Sequence, residues 1–400
     1  MSEITNHKRE RVNQLETLFY GILKGDKLGE LVRENQWVID ACVPADVVEV
    51  VDVLVAKKVE MEELKTGINK LLNLLHKTLV EHPYYAPAKE SYLGCLIENN
   101  RAMEERLLEI KPLFRGVNKQ AGDEQIKTEL LEKLTGLEKF GSYYTIKENL
   151  LFPVIEKYIP EYRCLQVMWS FHDDIRRNLK SAIKMLKGEI ATDMKQFNRW
   201  VGDLFFNMYA VKFREERLLF PMVEEKVEAD VLNALFNESI EIGFPFYQPE
   251  KTGQTNSNTT VSDKQEVDLE TGNLSIEQIK LLFNHLPVDI TFVDENNKVK
   301  YFSTPKKRIF PRTKSVIGRD VHNCHPPESV HVVEQIVESF RSGKKDVASF
   351  WINMRGEMLL IQYFAVRDEN GNYRGVVEVS QEVTEIRNLE GENRLLDWED

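Results

Sequence analysis

Three side chains on separate stretches of this sequence carry the most chemistry: Glu148, His172 and Glu215. Each sits inside an apolar stripe when its segment is projected at about 100° per residue. Leu130, Leu137, Tyr144, Leu151 and Ile155 share a face with Glu148, and Met168, Ile175, Leu179, Ile183 and Leu186 share one with His172. Phe197, Leu204, Met208, Val211, Leu218 and Met222 surround Glu215. A fourth stripe, through Tyr92, Leu96, Met103, Leu107 and Ile110, turns Asn100 inward, with Asn99 at its edge and Lys89 near its mouth. Glu148, His172 and Glu215 each lie about ten residues, roughly 15 Å, from the same end of their helices. The spacing predicts one buried polar layer of Asn100, Glu148, His172 and Glu215, with Tyr144 one turn away. Two carboxylates facing each other in an apolar interior need a cation, a proton or hydrogen-bond partners. Two solutions stay open. One is iron or another divalent metal held by His172, Glu148 and Glu215. The other is a paired network, with Arg176 neutralising one carboxylate and Asn100 and Tyr144 donating to the other.

The elements that must position this layer follow from helical periodicity. Residues 88–114, 122–158, 162–187 and 192–227 read as four helices. Their short connections imply an up-down-up-down bundle. Helices two and four carry one phrase, Glu148-Asn149-Leu150-Leu151-Phe152-Pro153 and Glu216-Arg217-Leu218-Leu219-Phe220-Pro221, which points to two related hairpins. Shorter helices fill residues 10–82, up to the breakers His82-Pro83 and Pro87. Residues 248–273 are polar and rich in Ser, Thr, Asn and Gly, which reads as a flexible linker.

Residues 274–387 change character. LSIEQIKLLFNHL is an amphipathic helix, and VDITFVDENNKVKYFS is a hairpin about Asn296-Asn297. PESVHVVEQIVESFRSG is a helix closed by Gly343. Three strands follow, with turns at Arg355-Gly356 and Glu369-Asn370-Gly371. This is an α+β arrangement around one antiparallel sheet. His322, Cys324 and His325 cluster before the long helix as candidate cofactor ligands, for heme or a small ligand. His331 lies opposite the apolar face of Val330, Val332, Val333, Ile336, Val337 and Phe340, so it is expected to point outward. An apolar pocket for a small ligand, or no ligand, is the other reading. Residues 388–400 read as an exit helix. Ile386, Leu389, Leu396 and Trp398 give this end a sticky face for a protein partner or for self-association.

The layout resembles a bacterial family that joins a DUF438 domain, a hemerythrin HHE-type bundle and a PAS domain. LVAKKVEMEELKTGINKLLNLLHKTL resembles the end of the DUF438 module. ENNRAMEERL, KENLLFPVIEKY, VMWSFHDDIR and FREERLLFPM resemble the four bundle helices, and RIFPR, VIGRDVHNCHPPES and EVTEIRNLEGENRLLDW the PAS part. The resemblance implies a multidomain protein. It would have a DUF438-like domain at 10–82, a hemerythrin-like bundle at 88–245 and an α+β PAS domain at 274–387. The ligand set departs from the family. Before residue 250 the histidines are His7, His76, His82 and His172, and the helix-two position holds Tyr143 or Tyr144. His172 alone carries over as a histidine ligand, with Glu148 and Glu215 or Glu216 as carboxylates. That implies a carboxylate-rich site for iron, manganese or zinc, or a bundle without metal.

Composition narrows the function. A net charge of −12 opposes binding to nucleic acid or an acidic membrane. No apolar run reaches membrane length, and the polar start MSEITNHKRERV is not a secretory signal. Cys42, Cys95, Cys164 and Cys324 lack paired spacing, which fits free thiols in a cytoplasmic protein. No hydrolase, phosphate-loop, dinucleotide or zinc-protease motif occurs, so a non-enzymatic protein is expected. The leading expectation is a sensor or signalling protein, with the bundle sensing metal, redox state or gas. The alternatives are a metal-dependent oxygen or nitric-oxide handling protein regulated by the PAS domain, and a metal-free interaction scaffold.

Overall fold

Long amphipathic helices dominate the first part of the chain. The computed structural model describes residues 2–84, 86–119, 123–191, 193–249, 266–354 and 356–391. They divide into two compact units, Met1–Thr252 and Gly253–Asp400.

The first unit begins with α1 (Ser2–Lys24), α2 (Leu28–Glu34), α3 (Gln36–Ala41), α4 (Pro44–Ala56) and α5 (Met61–Glu81). Next come α6 (Tyr92–Lys119), α7 (Glu124–Leu137), α8 (Gly141–Ile146), α9 (Phe152–Tyr158), α10 (Cys164–Leu186), α11 (Met194–Arg214), α12 (Phe220–Lys226) and α13 (Ala229–Ile242). Side-chain caps set several starts. Asp123 accepts from the N–H groups of Gln125 and Ile126 before α7, and Asp193 from those of Lys195 and Gln196 before α11. Gly94 is required for close packing, because a Cβ there would stand 2.0 Å from the Ala88 carbonyl oxygen. In the bundle, α6 packs on α7 and α11, and α10 on the same two helices. The helical segments that the sequence reading separates between residues 82 and 88 share one continuous core. The reason is α4: Val47, Val48, Val50, Val51 and Leu54 are all buried and form one broad apolar face. It is covered by α1 and α5 and by the bundle helix α10. The sequence reading did not foresee α13.

Both copies of the repeated phrase break α-helical bonding in the same way. Pro153 and Pro221 have no N–H and crowd the preceding turn. The chain answers with two π turns, Lys147–Leu151 and Glu215–Leu219. There the Phe152 N–H reaches the Lys147 carbonyl and the Phe220 N–H reaches that of Glu215, five residues back. Single π turns inside α-helices concentrate at functional positions.

The second unit opens with a hairpin, β1 (Glu266–Asp268) and β2 (Asn273–Ser275). Residues 266–273 are therefore paired strand and turn rather than the tether expected for them, while 250–265 lie outside the described residues. After α14 (Ile276–His285) come β3 (Asp289–Asp294), β4 (Val299–Phe302), α15 (Pro327–Arg341), β5 (Val347–Met354), β6 (Glu357–Arg367), β7 (Tyr373–Glu382) and α16 (Thr384–Arg387). The sheet is antiparallel in the order β4-β3-β7-β6-β5. Gly375 pairs with Asp294 at a positive φ of 137°, where a Cβ would come within 2.1 Å of the Val293 carbonyl oxygen. Val293, Val299 and Val316 form a small core with Phe302, Val321 and Cys324 around it. The expected strand-helix-strand succession is present. Most of the expected exit helix, 392–400 with Leu396 and Trp398, lies outside the described residues, as does the turn residue Arg355.

Candidate functional site: an ionic relay inside the helical unit

The two π turns and α10 bring the sequence-nominated acids and imidazole into one layer, together with a lysine that the sequence reading passed over. Lys147, the first residue of its π turn, is fully buried. Its ammonium bonds a Glu215 carboxylate oxygen and lies 3.1 Å from His172 Nε2. The other Glu215 oxygen accepts from Asn100 at 3.0 Å and from the Tyr143 hydroxyl at 2.6 Å. On the far side, His172 Nδ1 lies 2.8 Å from Glu148 Oε1. Arg176 donates to Glu148 Oε2 at 2.7 Å and to Asp173 at 3.0 Å. Tyr144 stacks on the imidazole with ring centres 4.3 Å apart.

The charges balance along this chain. Glu215 is matched by Lys147, and Glu148 by Arg176. Burial pushes His172 well below its usual range, and the Lys147 and Arg176 charges push it the same way. The imidazole is therefore neutral, and its two bonds fix the tautomer: Nδ1–H donates to Glu148, and the Nε2 lone pair accepts from the Lys147 ammonium. Burial and the Arg176 charge push Lys147 well down and Glu148 opposes; the Glu215 carboxylate in direct contact holds the ammonium proton, while burial pushes the Tyr143 hydroxyl well up. Tyr143 thus stays a donor. The layer is a continuous relay from Arg176 through Glu148, His172, Lys147 and Glu215 to Asn100 and Tyr143.

A metal ion does not fit this arrangement. It would need the imidazole nitrogen that faces Glu215, and the Lys147 ammonium stands between them. Among the described residues, no three His, Cys, Asp or Glu side chains come together as a metal-ligand set. The cation demanded by two buried carboxylates is supplied by side chains.

The other nominated residues fall elsewhere. Asn99 holds the end of the unit, bonding the Tyr247 carbonyl at 3.1 Å and accepting from the Phe246 and Tyr247 N–H groups. Lys89 pairs with Glu98 at 3.6 Å outside the layer. Glu216 lies 4.0 Å from Lys212 and also acts on Asn100 and Tyr143 at the end of the layer. Two members were missed. Lys147 lies three residues after Tyr144 and four before Leu151, so its stripe was readable, but a lysine there reads as a solvated face. Tyr143 was noted as a position without a role assigned in the layer.

In the second unit, His322 Nδ1 lies 2.6 Å from Asp320, and Cys324 Sγ lies 3.5 Å from the Asp320 carbonyl oxygen. Both belong to one local turn. His325 is half-buried. Burial, with Arg312, His322 and Arg319 nearby, pushes it down to about 4. His331 is exposed on α15.

Comparison with known proteins bears on this second unit. No match to a curated protein was found. Among solved structures, a C-terminal domain from Streptococcus mutans aligns at 34% identity, covering 32% of this chain and 98% of that one, with a TM-score of 0.31. A sensory box sensor histidine kinase from Vibrio cholerae aligns at 12% identity over 26% of this chain and 89% of that one, with a TM-score of 0.21. The PAS domain family matches residues 279–384. The chain therefore carries a PAS domain, spanning α14 to the start of α16.

Proposed function

We propose that this chain is a non-catalytic cytoplasmic sensor in which the helical unit is a metal-independent input module and the PAS domain signals by association. The PAS domain at 279–384 carries the sensory reading. Its outer surfaces support association. Strand β5 is an edge strand and exposes Val347, Phe350, Trp351 and Ile352. Helix α14 exposes Ile276, Leu281, Leu282 and Phe283. Unblunted apolar edges of this kind are partner surfaces or aggregation sites. No helix among the described residues is long and apolar enough to cross a membrane.

The competing reading is a hemerythrin-like bundle that handles oxygen or nitric oxide at a metal. It draws on the same convergence of Glu148, His172 and Glu215, but it requires Lys147 to leave the space between them.

Light scattering across a concentration series tests the association. The expected result is a dimeric or larger mass that Trp351→Ser with Leu282→Ser reduces to the monomer. A chain that stays monomeric at every concentration overturns signalling by self-association.

A further inference from the structure

The chain that leaves α13 is held against α6. Gly243 turns it at a φ of 90°, a conformation that favours glycine. Phe244-Pro245-Phe246-Tyr247 follows, three aromatic residues and a proline. Pro245 has no N–H, so the consecutive backbone donors here are those of Phe246 and Tyr247. Both donate to Asn99 Oδ1, at 3.0 and 2.9 Å, and Asn99 Nδ2 donates back to the Tyr247 carbonyl at 3.1 Å. Asn99 is fully buried, and its amide also donates to the Cys95 carbonyl at 2.8 Å. One side chain thus imitates a neighbouring strand and clamps residues 244–247 as a strap. In the sequence, this strap precedes the stretch that leads to the PAS domain.

The strap meets the relay by two routes. Asn99 is next to Asn100, which donates to Glu215. Phe246 stacks on Phe140, with ring centres 5.7 Å and planes 17° apart, and Phe140 stacks on Tyr143 at 4.6 Å and 14°. The Tyr143 hydroxyl donates to the same Glu215 oxygen as Asn100, and the Lys147 ammonium lies 4.4 Å from the centre of the Tyr143 ring. Arg106 covers Phe246 at 3.6 Å. Three near-parallel rings therefore join Glu215 to the strap. Phe140 and Tyr143 are buried in a close-packed interior, which passes displacement on rather than absorbing it. A buried hydroxyl that loses its acceptor must find another, so a change at Glu215 moves the Tyr143 ring and the rings stacked on it.

We propose that residues 244–248 are a latch whose hold on the bundle is set by the relay. While Glu215 is paired with Lys147, Tyr143 and Asn100 are fixed and the strap is docked. When Glu215 no longer accepts from Tyr143, the ring column shifts and the strap comes off, adding its residues to the chain that leads to the PAS domain. A segment held by one amide and one half-buried ring is the kind that opens locally, and such a two-state element is what coupling requires. The coupling lies within the helical unit and does not rest on the association proposed for the PAS domain.

Hydrogen exchange of the full chain, read by mass spectrometry, tests the latch. One peptide contains Phe246 and Tyr247, and a reference peptide contains Leu15 and Leu18 of α1. Asn99→Ala removes the clamp and gives the exchange of a freed strap. Tyr143→Phe keeps the ring and removes only the bond to Glu215, and Glu215→Gln removes the anion. Both are expected to speed strap exchange by about tenfold or more, the scale of one charged hydrogen bond, with the α1 peptide unchanged. If Glu215→Gln does not fold, Tyr143→Phe decides alone. Strap exchange that stays at the wild-type rate in Tyr143→Phe would overturn the proposal. So would an equal acceleration in α1, which would mean general loosening rather than release of the strap.

Discussion

Lys147 decides how the interior of the helical unit is read. A lysine is rarely buried without a partner, and this one has two, Glu215 and the His172 imidazole. Lys147→Met keeps the volume but leaves Glu215 without its cation. Breaking a buried pair from one side costs about 3–5 kcal/mol. Chemical denaturation should show a loss on that scale, and the double variant Lys147→Met, Glu215→Gln should recover much of it. The pH response follows from His172. Its pKa in the fold is depressed, so below about 6.5 the unfolded chain takes up a proton that the folded chain does not. Stability should therefore fall as pH drops from that point. His325 contributes with the same sign, and its share is complete near pH 4. In His172→Phe, denaturation midpoints should depend less steeply on pH between about 6.5 and 5. An unchanged slope would mean that His172 is not held neutral.

At the scale of elements, the two Pro-linked π turns aim the relay. Proline inside a helix normally costs about 3 kcal/mol, so Pro153→Ala in an ordinary helix should be stabilising. Here the opposite is expected. Restoring α bonding would rotate Lys147 and Glu148 out of the layer, and thermal unfolding should move to lower temperature. A stabilised variant would show that the turn is incidental. The same turns explain how far the sequence could be read. The four helices, the shared phrase and the inward direction of Glu148, His172, Glu215 and Asn100 follow from apolar spacing at 100° per residue. Lys147 did not follow. Lys147 falls beside the stripe of Tyr144 and Leu151, but lysine carries no apolar signal and reads as a solvated face. Arg176 was legible as a partner for a carboxylate because it lies one turn past His172. In the PAS domain the strands follow from turns and alternation, whereas the pairing of β3 with β7, distant in the chain, does not. Strand β5 breaks its alternation, because an edge strand with both faces open has no buried side to specify.

For the whole molecule, two compact units carry different chemistry: a helical unit whose buried layer pairs its carboxylates with Lys147 and Arg176, and a PAS domain with apolar outer surfaces. The proposed input role needs no metal, because side-chain cations already pair with the acids that a metal would need. The direct test is metal analysis of the full chain purified without chelator from cells supplied with iron, manganese and zinc, beside His172→Ala prepared identically. Far less than one ion per chain, unchanged in the variant, is the predicted result. A stoichiometric metal that is lost from His172→Ala would contradict the account, because Lys147 and that ion cannot occupy the same space.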